Sequence, residues 1–249
     1  MSHHLVEVDS LSYSYPDGTK ALEDVSFRVV HGESVAVVGA NGAGKSTLLM
    51  HLNGTLPPAK GRVVIGDLPV TPKTVRDLRR TVGMVFSNPD DQLFMPTVRD
   101  DVAFGPLNLG LPLEDVAARV EDALGQVGAL HVADRPPYRL SSGEKRLASI
   151  ATVLAMRPDV LVMDEPSSHL DPRARRTLID LLLTFDHSKI IATHDIDLVL
   201  DLCPRTVVMC RGAVSADGPT EEIFRDEELL RSCRLEKPLS WSRNSRDHE

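Results

Sequence analysis

Gly39-Ala40-Asn41-Gly42-Ala43-Gly44-Lys45-Ser46 lies between a β-branched run at 35–38 and an apolar stretch at 47–52. The run reads as a strand and the stretch as a helix, and the octet between them satisfies G-x-x-x-x-G-K-[ST]. Glycines let the backbone curl until successive N–H groups face inward, where they and the positive N-terminal end of the helix hold phosphate. Lys45 then contacts the outer phosphates and Ser46 ligates Mg²⁺. An ordinary glycine-rich turn is the competing interpretation, but the flanking strand and helix favour a phosphate loop for Mg·ATP.

Upstream, the run at 25–30 is strand-like, and Pro16-Asp17-Gly18 and His31-Gly32-Glu33 are turns. Downstream, 62–65 and 82–86 read as strands with a short helix at 75–80 between them. The texture then changes. Thr97 followed by Asp100 is a helix-start signature, and 114–127 and 142–156 carry apolar residues at helical spacing. Residues 87–156 are therefore the candidate inserted helical subdomain. Strand–helix alternation returns with a strand at 160–163, a helix after Asp171-Pro172, a strand at 190–193, a helix from Ile196 and a strand at 206–209. Such alternation predicts an α/β core with a mostly parallel sheet. Residues 1–233 make a single domain on this reading, and the polar stretch 234–249, with its lone Trp241, a loose tail.

A phosphate loop needs a carboxylate for its metal, and Val160-Leu161-Val162-Met163-Asp164-Glu165-Pro166 supplies one at the end of an apolar strand. Asp164 is expected to hold Mg²⁺ through water, and Glu165 to act as the base that polarises an attacking water, with Pro166 ending the strand. Taken alone, the pair would read as a solvated acidic turn. His194 follows the strand at 190–193, on the C-terminal edge where α/β sheets bind ligands, and is placed to contact the γ-phosphate. A lone histidine is ordinarily structural; it gains meaning because three strands deliver chemistry to one edge. Asp195 reads as a helix cap. These groups turn ATP binding into expected hydrolysis.

Leu140-Ser141-Ser142-Gly143-Glu144 places small residues at a helix start, exposing N–H groups suited to an anion. The phosphate loop already has its own anion binder. A second one makes sense if it reaches the nucleotide held by another subunit.

A formal net charge of −8 without a long Lys/Arg block argues against nucleic acid. Cys203, Cys210 and Cys233 are odd in number and lack metal-ligand spacing, and nothing at the N-terminus resembles a secretory segment, so a reducing cytoplasm is expected. The longest apolar stretch, 147–156, falls short of the roughly 20 residues a spanning helix needs. Any membrane role is then peripheral, through a partner. His3-His4 is assigned no metal site.

In the order of these motifs the chain resembles the ATP-binding subunits of ABC transporters, from Leu5 to about Phe224. The resemblance implies a P-loop (RecA-like) ATPase core with an N-terminal antiparallel β subdomain and an inserted α-helical subdomain. It implies that Tyr15 stacks on adenine, with Tyr13 the second candidate. Gly39, Asn41, Gly42, Ala43, Gly44, Lys45 and Ser46 become the Walker A loop, with Thr47 aiding the phosphates. Ser141, Ser142, Gly143 and Glu144 become the signature segment serving the opposite subunit, Asp164 and Glu165 Walker B, Ser168-His169-Leu170-Asp171 the D-loop, and His194 the switch histidine. Lys45, Glu165 and His194 carry catalysis on this resemblance.

Three further stretches resemble the energy-coupling-factor branch, most nearly its cobalt and nickel importers: Tyr15-Pro16-Asp17-Gly18, residues 88–94 (NPDDQLF) and residues 101–110 (DVAFGPLNLG). The branch implies a second ATPase subunit, identical or different, a transmembrane coupling protein touched by residues 88–110, and a small membrane component that captures a vitamin or metal ion. The chain would sit at the cytoplasmic face of the membrane. A solvated loop feeding a core helix is the plainer interpretation of 88–110. The alternatives to an importer subunit are a soluble ABC protein of DNA repair or ribosomes and a catalytically weak partner in a heterodimer. The first usually carries a coiled-coil insertion or a second cassette, and neither occurs here.

Three departures stand out. Ser87 occupies the Q-loop position where glutamine is usual, and a shorter hydroxyl cannot reach metal or water in the same way, so slower hydrolysis or looser coupling is expected. Gln92 belongs to the branch's own pattern and is not an obvious replacement. In the signature, Ser142 replaces the second glycine and Glu144 the final glutamine, the latter adding charge near phosphate. His169 in the D-loop is less usual.

Overall fold

The computed structural model describes residues 4–244. His3 of the His3-His4 pair and residues 245–249 lie outside the described residues. The chain divides into two compact units, Met1–Arg79 with His187–Glu249, and Arg80–Asp186.

The first unit opens with β1 (His4–Ser14) and β2 (Lys20–Val30), paired antiparallel with Glu7 opposite Arg28 and Val8 opposite Phe27. The turn between them is the predicted Pro16-Asp17-Gly18: Gly18 has φ +87°, and Asp17 Oδ1 accepts the Thr19 N–H at 2.9 Å. Val25, Phe27 and Val29 of β2 are buried while Ser26, Arg28 and Val30 between and after them are exposed, the period of a half-buried strand. β3 (Ser34–Val38) leads through the glycine loop into α1 (Lys45–Leu52). β4 (Lys60–Ile65) and β5 (Leu68–Pro69) complete an antiparallel sheet in the order β2-β1-β4-β5, and α2 (Val75–Thr81) follows.

In the second unit β6 (Val82–Val85) comes first, then three helices: α3 (Val98–Asn108), α4 (Leu113–Gln126) and α5 (Ser142–Leu154). Thr97 caps α3 by accepting the Asp100 N–H, as its spacing predicts. Val116, Val120, Ala123 and Leu124 form the buried stripe of α4. β7 (Val160–Asp164) pairs parallel with β6, Val82 opposite Val160 and Val85 opposite Met163. α6 (Pro172–Thr184) starts on the Asp171 cap with Pro172 in its first turn, where a missing N–H costs nothing.

The chain returns to the first unit with β8 (Ser188–Ala192), α7 (Ile196–Leu202), β9 (Arg205–Cys210) and β10 (Ala213–Pro219). β3 pairs parallel with β8 and with β9, and β10 closes antiparallel on β9. Val35, Ala36, Val37 and Val38 are wholly buried, as befits a strand with neighbours on both edges. The α/β core, the N-terminal antiparallel sheet and the helical segment all agree with the expected fold class.

The stretch after Arg234 departs from expectation. α8 (Thr220–Arg225) and α9 (Glu227–Ser232) precede it, and α10 (Leu239–Asn244) lies within it. Ser240 Oγ donates to Asp197 Oδ1 at 2.6 Å, and the Arg225 guanidinium sits 5.8 Å from the Trp241 ring centroid. Lys237 also pairs with Glu227, so from 237 to 241 the stretch is tied back by an aromatic anchor and two carboxylates and is not the loose tail its polar composition suggests.

Candidate functional site

The sequence-predicted residues divide between the units. Tyr15, Gly39 to Thr47 and His194 belong to the first; Ser87, Ser141 to Glu144, Asp164 and Glu165 belong to the second.

In the glycine loop the backbone geometry explains the residue types. Gly44 has φ +101°, and a Cβ there would lie 2.5 Å from the Ala21 carbonyl oxygen. A Cβ on Gly39 would lie 2.4 Å from the Met209 carbonyl of β9. The loop is therefore seated against two other strands and must be bare at both points. Lys45 is 8% exposed, and its Nζ donates to the Gly39 carbonyl at 2.7 Å and the Ala40 carbonyl at 3.3 Å. A buried ammonium facing neutral carbonyls is strongly favoured by an anion. Asn41 and Gly42 at the tip are exposed.

The Tyr15 hydroxyl is 2.9 Å from Thr47 Oγ1, so the half-buried Tyr15 ring stands at the start of α1, beside the loop. Tyr13 is edge-on to both Tyr15 and His51, at 5.2 and 4.8 Å between centroids, and is thereby committed to packing. His51 is wholly buried, and its Nδ1 lies 2.8 Å from the Thr47 carbonyl. Burial pushes its pKa below the ordinary 6.5, against the opposing pull of that carbonyl. As pH falls through 6.5 the unfolded chain binds the proton first, so stability is lost from there down to the depressed folded value. Thermal melts between about pH 7.5 and 5.5 are expected to fall less steeply in His51→Gln than in the parent chain. Equal slopes would remove His51 from the acid sensitivity.

β8 ends at Ala192, the Thr193 N–H donates to the Val37 carbonyl at 3.3 Å, and exposed His194 follows on the edge where β3 enters the glycine loop. Asp195 caps α7 through the Leu198 N–H at 3.0 Å, as expected.

In the second unit, β6 and β7 run parallel and deliver Ser87 and the Asp164-Glu165 pair to one edge. Asp164 is 2% exposed, and Glu165, partly exposed, has φ +50°, a left-handed backbone uncommon for a side chain of its size. Arg146 of α5, which the sequence reading did not single out, organises this edge. It is wholly buried; Nη1 donates to the Phe86 carbonyl at 2.6 Å and Nη2 to the Ser87 carbonyl. Burial lowers its pKa, and the charges of Asp164 and Glu165 oppose that shift. One guanidinium thus fixes the Ser87 backbone and balances the carboxylate pair. Ser87 is exposed. Gln92 is no substitute for it: its Oε1 accepts the Phe86 N–H at 3.1 Å, and its Nε2 donates to the Ser149 carbonyl and Thr152 Oγ1 at 2.8 and 2.7 Å. The whole amide is spent holding the loop to α5.

Ser141 and Glu144 form a capping box on α5: Glu144 Oε2 accepts both the N–H and the hydroxyl of Ser141 at 2.8 Å, and Ser141 Oγ accepts the Glu144 N–H at 3.3 Å. These bonds hold the Glu144 carboxyl below its ordinary range, helped by Arg135 and His131. The expected extra charge near phosphate is therefore folded back onto its own helix, occupying the Ser141 hydroxyl. A Cβ on Gly143 would lie 3.4 Å from the His169 carbonyl, and His169 has φ +67°. Residues 141–144 and 168–171 therefore lie against each other.

The Ser46 hydroxyl in the first unit and the Asp164 carboxylate in the second are each hard oxygen donors, the kind Mg²⁺ takes. Among the described residues no group of three or more His, Cys, Asp or Glu side chains is arranged to hold a metal by itself.

A family model described as "ABC transporter" matches residues 22–168. A Geobacter sulfurreducens chain, assigned by name only to ABC transporter ATP-binding proteins, is 65% identical over 240 residues, covering 96% of each chain. The energy-coupling factor transporter ATP-binding protein EcfA of Methanothermobacter thermautotrophicus is 47% identical over 239 residues, covering 94% of this chain and 77% of its own. Among solved structures, cbiO1 of Clostridium perfringens, part of the ABC transporter complex cbiONQ, superposes with a TM-score of 0.78 at 40% identity, covering 92% of this chain and 94% of its own.

Proposed function

The chain belongs to the ABC transporter family as an ATPase subunit of the energy-coupling-factor type, and on that premise we propose that it hydrolyses Mg·ATP in a pair of such subunits beneath a membrane coupling protein, powering uptake of cobalt, nickel or a vitamin. The observation that carries this reading is Lys45, whose buried ammonium faces the carbonyls of a loop that admits no side chain at Gly39 or Gly44. Phosphate oxygens replace those carbonyls, and the N–H groups of Asn41, Gly42, Ala43 and Gly44 close around them. Tyr15 stacks on the adenine and Thr47 aids the phosphates.

Ser46, and Asp164 through water, would hold Mg²⁺, which would supply neutralisation of the charge developing on the phosphates. Glu165 accepts the proton of the attacking water, and His194 steadies the γ-phosphate. Ser141 to Glu144 complete the site of the opposite subunit.

For that service the capping box must yield Ser141. Glu144→Gln keeps the cap geometry and removes the charge, so it is expected to tighten the ATP-bound dimer severalfold, read as dimer fraction by size exclusion with saturating ATP. An unchanged or weaker dimer would place Glu144 outside the phosphate's reach.

The surface offered to the membrane partner includes Phe94, Phe104 and Leu107, 63%, 43% and 47% exposed, with the two phenyl rings edge-to-face at 5.0 Å. Buried Asp101 fixes this edge by accepting the Phe94 and Met95 N–H groups at 2.9 and 3.0 Å. No helix among the described residues is long and apolar enough to cross a membrane.

Purified chain mixed with Mg·ATP tests the reading: turnover that disappears in Lys45→Ala supports it. Binding without turnover favours the catalytically weak partner, for which exposed Ser87 and the engaged Gln92 speak. Co-purification with membrane partners, followed by cargo identification, tests the transport half.

A further inference from the structure

A cleft of about 140 Å³ in the first unit is walled on one side by loop residues 40–43 and on the other by Cys210, Arg211, Cys233 and Arg234. Cys210 ends β9, and Cys233 caps the C-terminus of α9. The two cysteines line one cleft: the Cys210 Sγ lies 3.8 Å from the carbonyl of Ser232, the residue before Cys233, and burial together with the neighbouring Cys233 raises the Cys210 thiol above its ordinary range. Cys210 is partly exposed, whereas Cys233 is 3% exposed. Such a pair has an accessible thiol to react first and a sheltered one to resolve.

The connection to the glycine loop is direct. The Met209 carbonyl presses on Gly39, and the Gly212 N–H donates to the Ala43 carbonyl at 3.0 Å, so the turn carrying Cys210 holds the loop at two points. Phosphate competes with the Gly39 and Ala40 carbonyls for the Lys45 ammonium, so its fit depends on how residues 40–43 are held. Joining Cys210 to the end of α9 fixes the wall they move against.

We propose that Cys210 and Cys233 are a reversible thiol-modification site, oxidised by low-molecular-weight disulfides, and that the resulting Cys210–Cys233 bond weakens ATP binding in the adjacent loop. The Cys210 thiolate attacks the small disulfide, forming a mixed disulfide and releasing one thiolate. The Cys233 thiolate then attacks the Cys210 sulfur and releases the second. The protein loses two protons and two electrons, and the small disulfide is reduced to two thiols. Cys203 stays outside this chemistry: it is buried away from the cleft, and burial pushes its thiol up to about 12. The nucleotide half rests on the reading of 39–46 as the ATP site; the thiol half does not.

Full-length protein equilibrated in buffers of reduced and oxidised glutathione, then digested for mass spectrometry, is expected to yield a linked Cys210–Cys233 peptide that dithiothreitol abolishes, with Cys203 free. The oxidised chain is expected to bind a fluorescent ATP analogue about fivefold more weakly, the lower end of ordinary two-site coupling. By linkage, saturating ATP shifts the thiol–disulfide equilibrium toward the dithiol by the same factor. Cys210→Ser should give no linked peptide and the same affinity in both buffers. Absence of the linked peptide at every glutathione ratio, or its formation with unchanged affinity, overturns the proposal. A reduced chain that fails to bind the analogue sinks the nucleotide half together with the loop's assignment, and the linked peptide, which needs no nucleotide, tells that failure apart.

Discussion

Glu165→Gln is expected to lower ATP turnover by about 10²- to 10⁴-fold, the usual contribution of a positioned general base, while binding of the nucleotide changes little. The amide keeps the size and polar contacts of the carboxylate but cannot take a proton from water. ATP then persists in the site, and the ATP-bound dimer is expected to accumulate in size exclusion where the parent chain shows little. Glu165→Gly separates chemistry from backbone: glycine adopts φ +50° without cost, so this variant is expected to melt higher than Glu165→Gln while turning over no faster. Turnover of Glu165→Gln within tenfold of the parent would move the base elsewhere.

Arg146→Ala is expected to destabilise the chain by about 3 kcal/mol, or about 6–12 °C in melting temperature for a protein of this size. The truncation empties a fully buried site, strips the Phe86 and Ser87 carbonyls of their charged donor and leaves Asp164 without the positive charge that balances it. Arg146→Met fills the volume without the charge, so it should recover part of the stability and little of the turnover. A melting temperature within 2 °C or so of the parent would show that the guanidinium is not the support its burial implies.

Features written in adjacent residues were legible in the sequence. The glycine loop, the Thr97, Asp171 and Asp195 caps and the turn at Asp17-Gly18 each depend on a few neighbours, so residue type and spacing determine them. Arg146 was not legible, because an arginine in an amphipathic helix reads as surface until the strand ends that face it are known. Gln92 was likewise undecided until Ser149 and Thr152 were seen to take its amide. Ser141 and Glu144 have the same spacing that betrayed the cap at Thr97. The signal for their capping box is therefore present in the sequence, in the same residues whose N–H groups suit an anion. The short helices α8, α9 and α10 carry too few apolar residues for periodicity, and their order comes from anchors such as Phe224, Leu230 and Trp241.

The pairing of β3 with β8 and β9 has a consequence for biosynthesis. Val35 finds its hydrogen-bonded neighbours in Ile190 and Arg205, so the strand that launches the glycine loop is translated long before either partner exists. While the ribosome works through the intervening residues, the most apolar strand of the first unit is exposed on both edges. The loop acquires its shape only near the end of translation, and the nascent chain, more than the finished one, is where a chaperone would earn its keep.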